Sequence, residues 1–118
     1  LSSMAPTVIY DQTGRLAGVL GSPGGSQIIN YVAETVLALL AWNLTPGEAV
    51  ALPHFGSRNG PTELERGTDA EQLRPALEKL GHTVTIHDMT SGLSVIVRRG
   101  DEWIGAADPR REGTARGE

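Results

Sequence analysis

Cysteine is absent from this chain, which excludes disulfides and thiolate metal sites and leaves the redox compartment open. A basic stripe is also missing. Ten Lys and Arg stand against 14 Asp and Glu, for a net charge of −4, which argues against nucleic acid as the main partner. Arg98-Arg99 and Arg110-Arg111 are the only basic pairs, and isolated pairs of this kind usually just face solvent. No signal peptide and no apolar run of membrane-spanning length is visible, so no membrane contact is expected from this segment. The three histidines, His54, His82 and His87, do not fall at i, i+4 on a helix, and no clustered acid joins them. Neither a metal nor another cofactor is therefore expected. Internal repeats and low-complexity segments are lacking. The chain starts at Leu1 rather than Met and opens directly on a hydroxyl-rich turn, so the expectation is a segment of a longer polypeptide.

The remaining composition is that of an ordinary globular protein: 118 residues, 39% hydrophobic and 20% charged. Size predicts one domain, with a core that is not self-sufficient. Thr7 to Tyr10 reads as a strand, Asp11-Gln12-Thr13-Gly14 as a turn, and Arg15 to Leu20 as the returning strand. Gln27 to Asn43 reads as a helix capped by Ser26 and buried on most sides, with Trp42 widening its apolar face. Thr45-Pro46-Gly47-Glu48 is a capping box that opens a short second helix. His54 to Pro61 reads as loop, and Glu63 to Arg66 as a short strand. Thr68 to Glu71 forms another capping box, opening a helix to about Leu80 in which Pro75 is an awkward interior residue and Gly81 the C-terminal cap. Thr83 to His87, Leu93 to Arg98 and Glu102 to Gly105 read as strands, with His82 and His87 as strand residues and Gly100-Asp101 as a hairpin turn. Trp42 and Trp103 are assigned to core or interface. The order is β-β-α-α-β-α-β-β-β. Helices come in blocks and strands mostly join by tight turns, which favours an α/β fold of antiparallel sheets layered with helices over a Rossmann alternation.

The richest stretch is Leu20-Gly21-Ser22-Pro23-Gly24-Gly25-Ser26, set between a strand and the long helix. A glycine pair lets the backbone turn tightly and brings bare N–H groups close to a ligand. The helix start adds N–H groups and a favourable dipole. Such a turn suits a carboxylate, a phosphate, or the charge that develops on a carbonyl under attack. A second hydroxyl-rich turn, Ser2-Ser3-Met4-Ala5-Pro6-Thr7, precedes the strand pair leading to it.

Three motifs in the same order and spacing carry a resemblance: Leu1 to Thr7, Leu20 to Ile29, and Gly105-Ala106-Ala107-Asp108-Pro109-Arg110-Arg111. Glu48 to Pro53 and Gly60 to Glu65 fit as well. Together they resemble γ-glutamyltranspeptidase (glutathione hydrolase), over the C-terminal part of its small subunit, and the likeness spans residues 1–118. The resemblance implies an N-terminal nucleophile hydrolase with a four-layer αββα core, made as a zymogen and matured by autoprocessing. It implies that an N-terminal threonine of the small subunit attacks the γ-glutamyl amide of glutathione or a related donor, and that the acyl group passes to water or to an amino-acid or peptide amine. Carried over by motif, Ser2 and Ser3 would bind the donor's α-carboxylate, and Gly24 and Gly25 would supply the oxyanion hole. Partners would be the rest of the small subunit and the large subunit, and the location would be periplasmic or secreted.

The chain departs from the family pattern in three places. The nucleophilic threonine and the acid that grips the donor's α-amine are not in it. Leu1 cannot replace the nucleophile, and Thr7 is not in the matching motif, so this chain alone is expected to be inactive. His54 stands where better-known members have Arg, and no role is carried onto it. The end, Gly117-Glu118, replaces a common Gly-Tyr. Asp108 to Arg111 is expected to close a salt-bridged turn rather than touch substrate, and Arg58-Asn59-Gly60 is a loop without an assigned role. Three rivals stay open: a related γ-glutamyl or glutaryl acylase, a non-catalytic anion-binding module, and a purely structural domain with an inert glycine turn.

Overall fold

The computed structural model of the chain describes residues 2–117; Leu1 and Glu118, on which two of the departures above rest, lie outside the described residues. The elements run β1 (Thr7–Tyr10), β2 (Leu16–Gly21), α1 (Ile28–Leu40), α2 (Pro46–Ala51), β3 (Phe55–Ser57), β4 (Thr62–Glu65), α3 (Arg74–Lys79), β5 (Val84–His87), β6 (Ser94–Arg99) and β7 (Glu102–Ala107). Short 3-10 turns precede α1 and α3. Two compact units result: residues 1–52 with 90–118, and residues 53–89.

The first unit holds a four-stranded antiparallel sheet in the order β1-β2-β6-β7. Asp11 builds the first hairpin: its Oδ1 accepts the Thr13 and Arg15 N–H groups at 2.9 and 3.0 Å, and the Thr13 hydroxyl donates to the same oxygen. One sheet face buries Leu20, Val95 and Val97, and α2 packs against β6 and β7 there. The other face carries Val8, Val19 and Ile96, aligned across three strands by the register; Val8 and Ile96 are exposed. Alternation of this kind follows from the two-residue period of a strand.

Helix α1 differs from expectation in two respects. No side chain caps it: Gly24, at φ +137°, begins a 3-10 turn over Gly25–Gln27 that feeds the helix through backbone geometry, and Ser26 is not the N-cap. Nor is it buried on most sides. Ile28, Tyr31, Val32, Thr35, Ala38 and Leu39 are inward, while Ile29, Leu37 and Leu40 are exposed, as are Trp42 and Trp103 at 51% each. The helix ends at Leu40, and Asn43 adopts φ +53°. The capping box of α2 is present as expected, with Thr45 Oγ1 accepting the Glu48 N–H at 3.2 Å and Glu48 Oε1 accepting the Thr45 N–H at 3.2 Å.

The four paired arginines do not simply face solvent. Arg98 donates to Asp11 Oδ2 at 2.7 Å and to the Leu16 carbonyl at 3.1 Å, clasping the hairpin. Arg99 reaches the Leu44 carbonyl at 3.1 Å, just past the end of α1. Arg110 donates to the Val50 and Leu52 carbonyls at 2.9 and 2.7 Å, satisfying the C-terminal end of α2, where a cation also complements the helix dipole. Arg111 donates twice to the Thr90 carbonyl. A guanidinium has donors enough to bridge several carbonyls, which isolated lysines cannot do as well.

In the second unit the order is β3-β4-β5, with β3 and β4 antiparallel but β4 and β5 parallel. Helix α3 lies between β4 and β5 in sequence, so the unit contains a parallel pair, which the block-like element order had argued against. Strand β3 falls where a loop was expected. Its Gly56 and Ser57 are poor strand formers, and pairing with β4 overrides them. Pro75 is not interior either. It sits in the first turn of α3, where a missing N–H goes unused, and the preceding residues form the 3-10 turn. Gly81, at φ +96°, closes α3: its N–H goes to Glu78 and the His82 N–H to Leu77, the paired bonds of a Schellman end. His82 therefore belongs to this turn rather than to a strand. Leu64, Ala70 and Val84 form the core of the unit, with Leu77 and Ile86 against it.

Candidate active site

The glycine turn is shaped from both sides by packing. Gly24 lies against the aromatic ring of Tyr31, which is 2% exposed; a Cβ on Gly24 would stand 2.6 Å from Tyr31 Cε2. Gly25, at φ +61°, meets nothing within 4 Å at the corresponding position. Both conformations lie in the range that side-chain-bearing residues avoid. Among the described residues, no hydrogen bond engages the N–H of Gly24 or Gly25. The Gly24 carbonyl, by contrast, accepts from the Gln27 N–H.

The first hydroxyl-rich turn stands on the same side of the unit. Ser2 Oγ accepts the Met4 N–H at 3.1 Å, which leaves the hydroxyl proton to be donated outward. Ser2 is exposed and Ser3 half-buried. Ser2, Ser3, Gly24 and Gly25 line one cleft of about 750 Å³, together with Met4 and Ile28. The four residues predicted from sequence are thus brought together, although β1 and β2 separate the two pairs along the chain. Two hydroxyls and two backbone amides around one cleft can hold a carboxylate and stabilise an oxyanion.

A third segment supports the glycine turn, and sequence reading did not find it. The Ser22 hydroxyl donates to the Pro23 carbonyl at 2.7 Å, and its oxygen accepts the Gly92 N–H at 3.0 Å. Asp108, 3% exposed, accepts the Ser91 hydroxyl and the Leu93 N–H on Oδ2, and the Arg110 N–H and guanidinium on Oδ1 at 2.9 and 3.1 Å. Burial pushes the Asp108 carboxyl up, but the donors from Ser91, Arg110 and Leu93 outweigh it and hold the group below its ordinary range. Asp108 to Arg111 is the salt-bridged turn expected. The available signal was the Ser91-Gly92 dipeptide, a turn marker with no visible partner in one dimension.

The three histidines belong to the second unit, and none lines this cleft. His54 is buried, with its N–H on Glu65 Oε2 at 2.8 Å. His82 Nδ1 is 3.2 Å from Thr62 Oγ1, and His87 Nε2 is 3.8 Å from Glu63 Oε1. Among the described residues no group of three or more such side chains could hold a metal ion, and no helix is long and apolar enough to cross a membrane.

The fold, mixed α/β with antiparallel sheet, is that of the N-terminal nucleophile hydrolases, as the superposition on their solved members shows. Within that class the chain belongs to the gamma-glutamyltranspeptidase family, whose sequence model matches residues 1–118. It is 38% identical over 113 residues to the glutathione hydrolase proenzyme of Escherichia coli K12, covering 93% of this chain and 19% of that protein. It is 32% identical over 115 residues to the acylase ACY 1 proenzyme of Pseudomonas sp. V22, covering 96% of this chain and 20% of that protein. The structure superposes on the T380A mutant of Helicobacter pylori gamma-glutamyltranspeptidase with a TM-score of 0.84 at 28% identity, over 94% of this chain and 62% of the other. The chain therefore spans about a fifth of the length of its curated relatives.

Proposed function

We propose that the polypeptide carrying this chain is a γ-glutamyltransferase and glutathione hydrolase, and that this segment supplies two parts of its active site. The Ser2 and Ser3 hydroxyls bind the α-carboxylate of the γ-glutamyl donor. The Gly24 and Gly25 N–H groups form the oxyanion hole. A threonine outside this chain, freed as an N-terminus by autoprocessing, attacks the γ-carbonyl carbon. The carbonyl oxygen takes up the negative charge beside the glycine amides, the amine leaves with a proton, and water or an acceptor amine then releases the acyl group. The chain by itself, lacking the nucleophile, is inactive.

The observation that carries this reading is the convergence of Ser2, Ser3, Gly24 and Gly25 on one cleft. Family membership gives that convergence its chemical meaning. The test is cleavage of a γ-glutamyl anilide by the complete gene product, with this segment alone as the negative control. No turnover by the processed, folded enzyme overturns the reading.

A glutaryl acylase is the second reading, favoured by the similarity to the Pseudomonas acylase proenzyme. It would use the same amides on an acyl group that has a terminal carboxylate but no α-amine. A glutaryl anilide, which keeps the carboxylate but lacks the α-amine, separates the two: preference for it over the γ-glutamyl anilide favours the acylase.

A further inference from the structure

The glycine turn has a support built from a distant part of the sequence. Oδ2 of Asp108 holds Ser91 through its hydroxyl and Leu93 through its N–H, so one buried oxygen fixes the residues on both sides of Gly92. Arg111 holds the Thr90 carbonyl with two donors, at 3.0 and 2.8 Å. Gly92 is in turn pressed close: a Cβ there would stand 2.8 Å from both Pro23 Cγ and Arg111 Cδ. From this position the Gly92 N–H reaches Ser22 Oγ at 3.0 Å, and the Ser22 hydroxyl donates to the Pro23 carbonyl at 2.7 Å. The carbonyl carbon of Pro23 is bonded to the nitrogen of Gly24. Fixing the Pro23 carbonyl therefore fixes the peptide plane that carries the Gly24 N–H.

We propose that Ser22 and Asp108 are positioning residues for the Gly24-Gly25 turn, acting through the Ser91-Gly92 turn; this rests on the reading of the glycine amides as the oxyanion hole. Asp108 does not line the cleft, and Ser22, at its wall, has its hydroxyl committed to the Pro23 carbonyl and its oxygen to the Gly92 N–H. Ser22 sets the orientation of the Pro23-Gly24 peptide, and Asp108 sets the position of the donor that holds Ser22. Such a latch matters because catalytic geometry is exacting: misplacement by 1 Å can cost on the order of 100-fold in rate.

The experiment uses the complete polypeptide with Ser22→Ala, Ser22→Thr and Asp108→Asn, and reads two quantities. Hydrogen exchange of a peptide covering residues 20–27 reports whether the turn has loosened; about tenfold faster exchange is expected in Ser22→Ala and Asp108→Asn, and near-wild-type exchange in Ser22→Thr, which keeps the hydroxyl. Steady-state cleavage of a γ-glutamyl anilide, per mole of processed enzyme, is expected to lose about ten- to 100-fold in kcat in Ser22→Ala, with KM almost unchanged. A merely structural role would lower the amount of folded enzyme but not kcat per folded molecule. Unchanged exchange in Ser22→Ala, or unchanged kcat in an active wild-type background, overturns the inference. If Asp108→Asn fails to fold, Ser22→Ala, at a half-buried site, still decides. If the wild type cleaves no γ-glutamyl donor, the functional reading falls while the exchange measurement still decides whether the latch exists.

Discussion

Gly24 and Tyr31 are in contact such that a single added methyl group on Gly24 would lie 2.6 Å from the Tyr31 ring. The neighbouring Gly25 has open space at the same position. The two glycines are thus required for different reasons, and substitution separates them. Gly24→Ala meets both a ring that is itself packed and a φ of +137°, and is expected to lower stability by about 1–3 kcal/mol and to abolish turnover of the complete enzyme. Gly25→Ala meets only the left-handed backbone cost of about 1–2 kcal/mol. Thermal unfolding of the two variants should rank Gly24→Ala as the more damaging. Tyr31→Phe should not rescue it, because the ring atom in the way remains.

The carboxylate assignment makes a separate kinetic prediction. Ser2→Ala and Ser3→Ala in the complete enzyme each remove one hydrogen bond to a charged group, about 1–3 kcal/mol. On that assignment the effect should fall on donor binding, raising KM while kcat stays within a small factor, since both hydroxyls would contact a part of the donor that does not change charge during reaction. The glycine amides should show the opposite split. Unchanged donor kinetics in the double serine variant would remove the assignment.

Much of this architecture is legible in one dimension because it depends on local chemistry. The Thr45 to Glu48 capping box, the Asp11 turn and the Gly81 cap each need only residues three or four apart. The glycine motif could be assigned a position, between strand and helix, for the same reason. What escaped is non-local. Strand β3 exists because β4 pairs with it, and β4 runs parallel to β5 although short antiparallel turns dominate elsewhere. The roles of Arg98 and Arg110 depend on carbonyls of Leu16, Val50 and Leu52, more than fifty positions away in sequence. Ser22 and Gly92, which meet at 3.0 Å, carry no pattern that links them along the chain.

Asp108 should confer acid sensitivity. Its folded carboxyl sits below the ordinary range, with burial opposed and outweighed by the donors from Ser91, Arg110 and Leu93. The unfolded chain therefore binds a proton there more readily than the folded one, and stability rises with pH through that window. The contribution is fully present above the unfolded value near 4 and is lost as pH falls through the lower folded value. Unfolding midpoints measured from pH 6 down to pH 3 should fall more steeply in the wild type than in Asp108→Asn. At pH 7, Asp108→Ala leaves the Arg110 guanidinium and the Ser91 and Leu93 donors without their acceptor, and is expected to cost about 3–5 kcal/mol.

The segment after β7 turns back over the edge of the sheet, and Gly105 makes room for it. A Cβ on Gly105 would stand 3.0 Å from Ala115 Cβ, closer than two methyl groups settle. Gly105→Val places three carbons where even the first would have to push Ala115 back, while favouring the strand itself through β-branching. The strand should therefore persist and the tail should lift. Arg116 lies in that tail, so trypsin cleavage after Arg116 should accelerate in the folded Gly105→Val protein while the unfolding midpoint stays within a few degrees of wild type. Equal cleavage rates would mean that the close approach of Gly105 and Ala115 does not hold the tail in place.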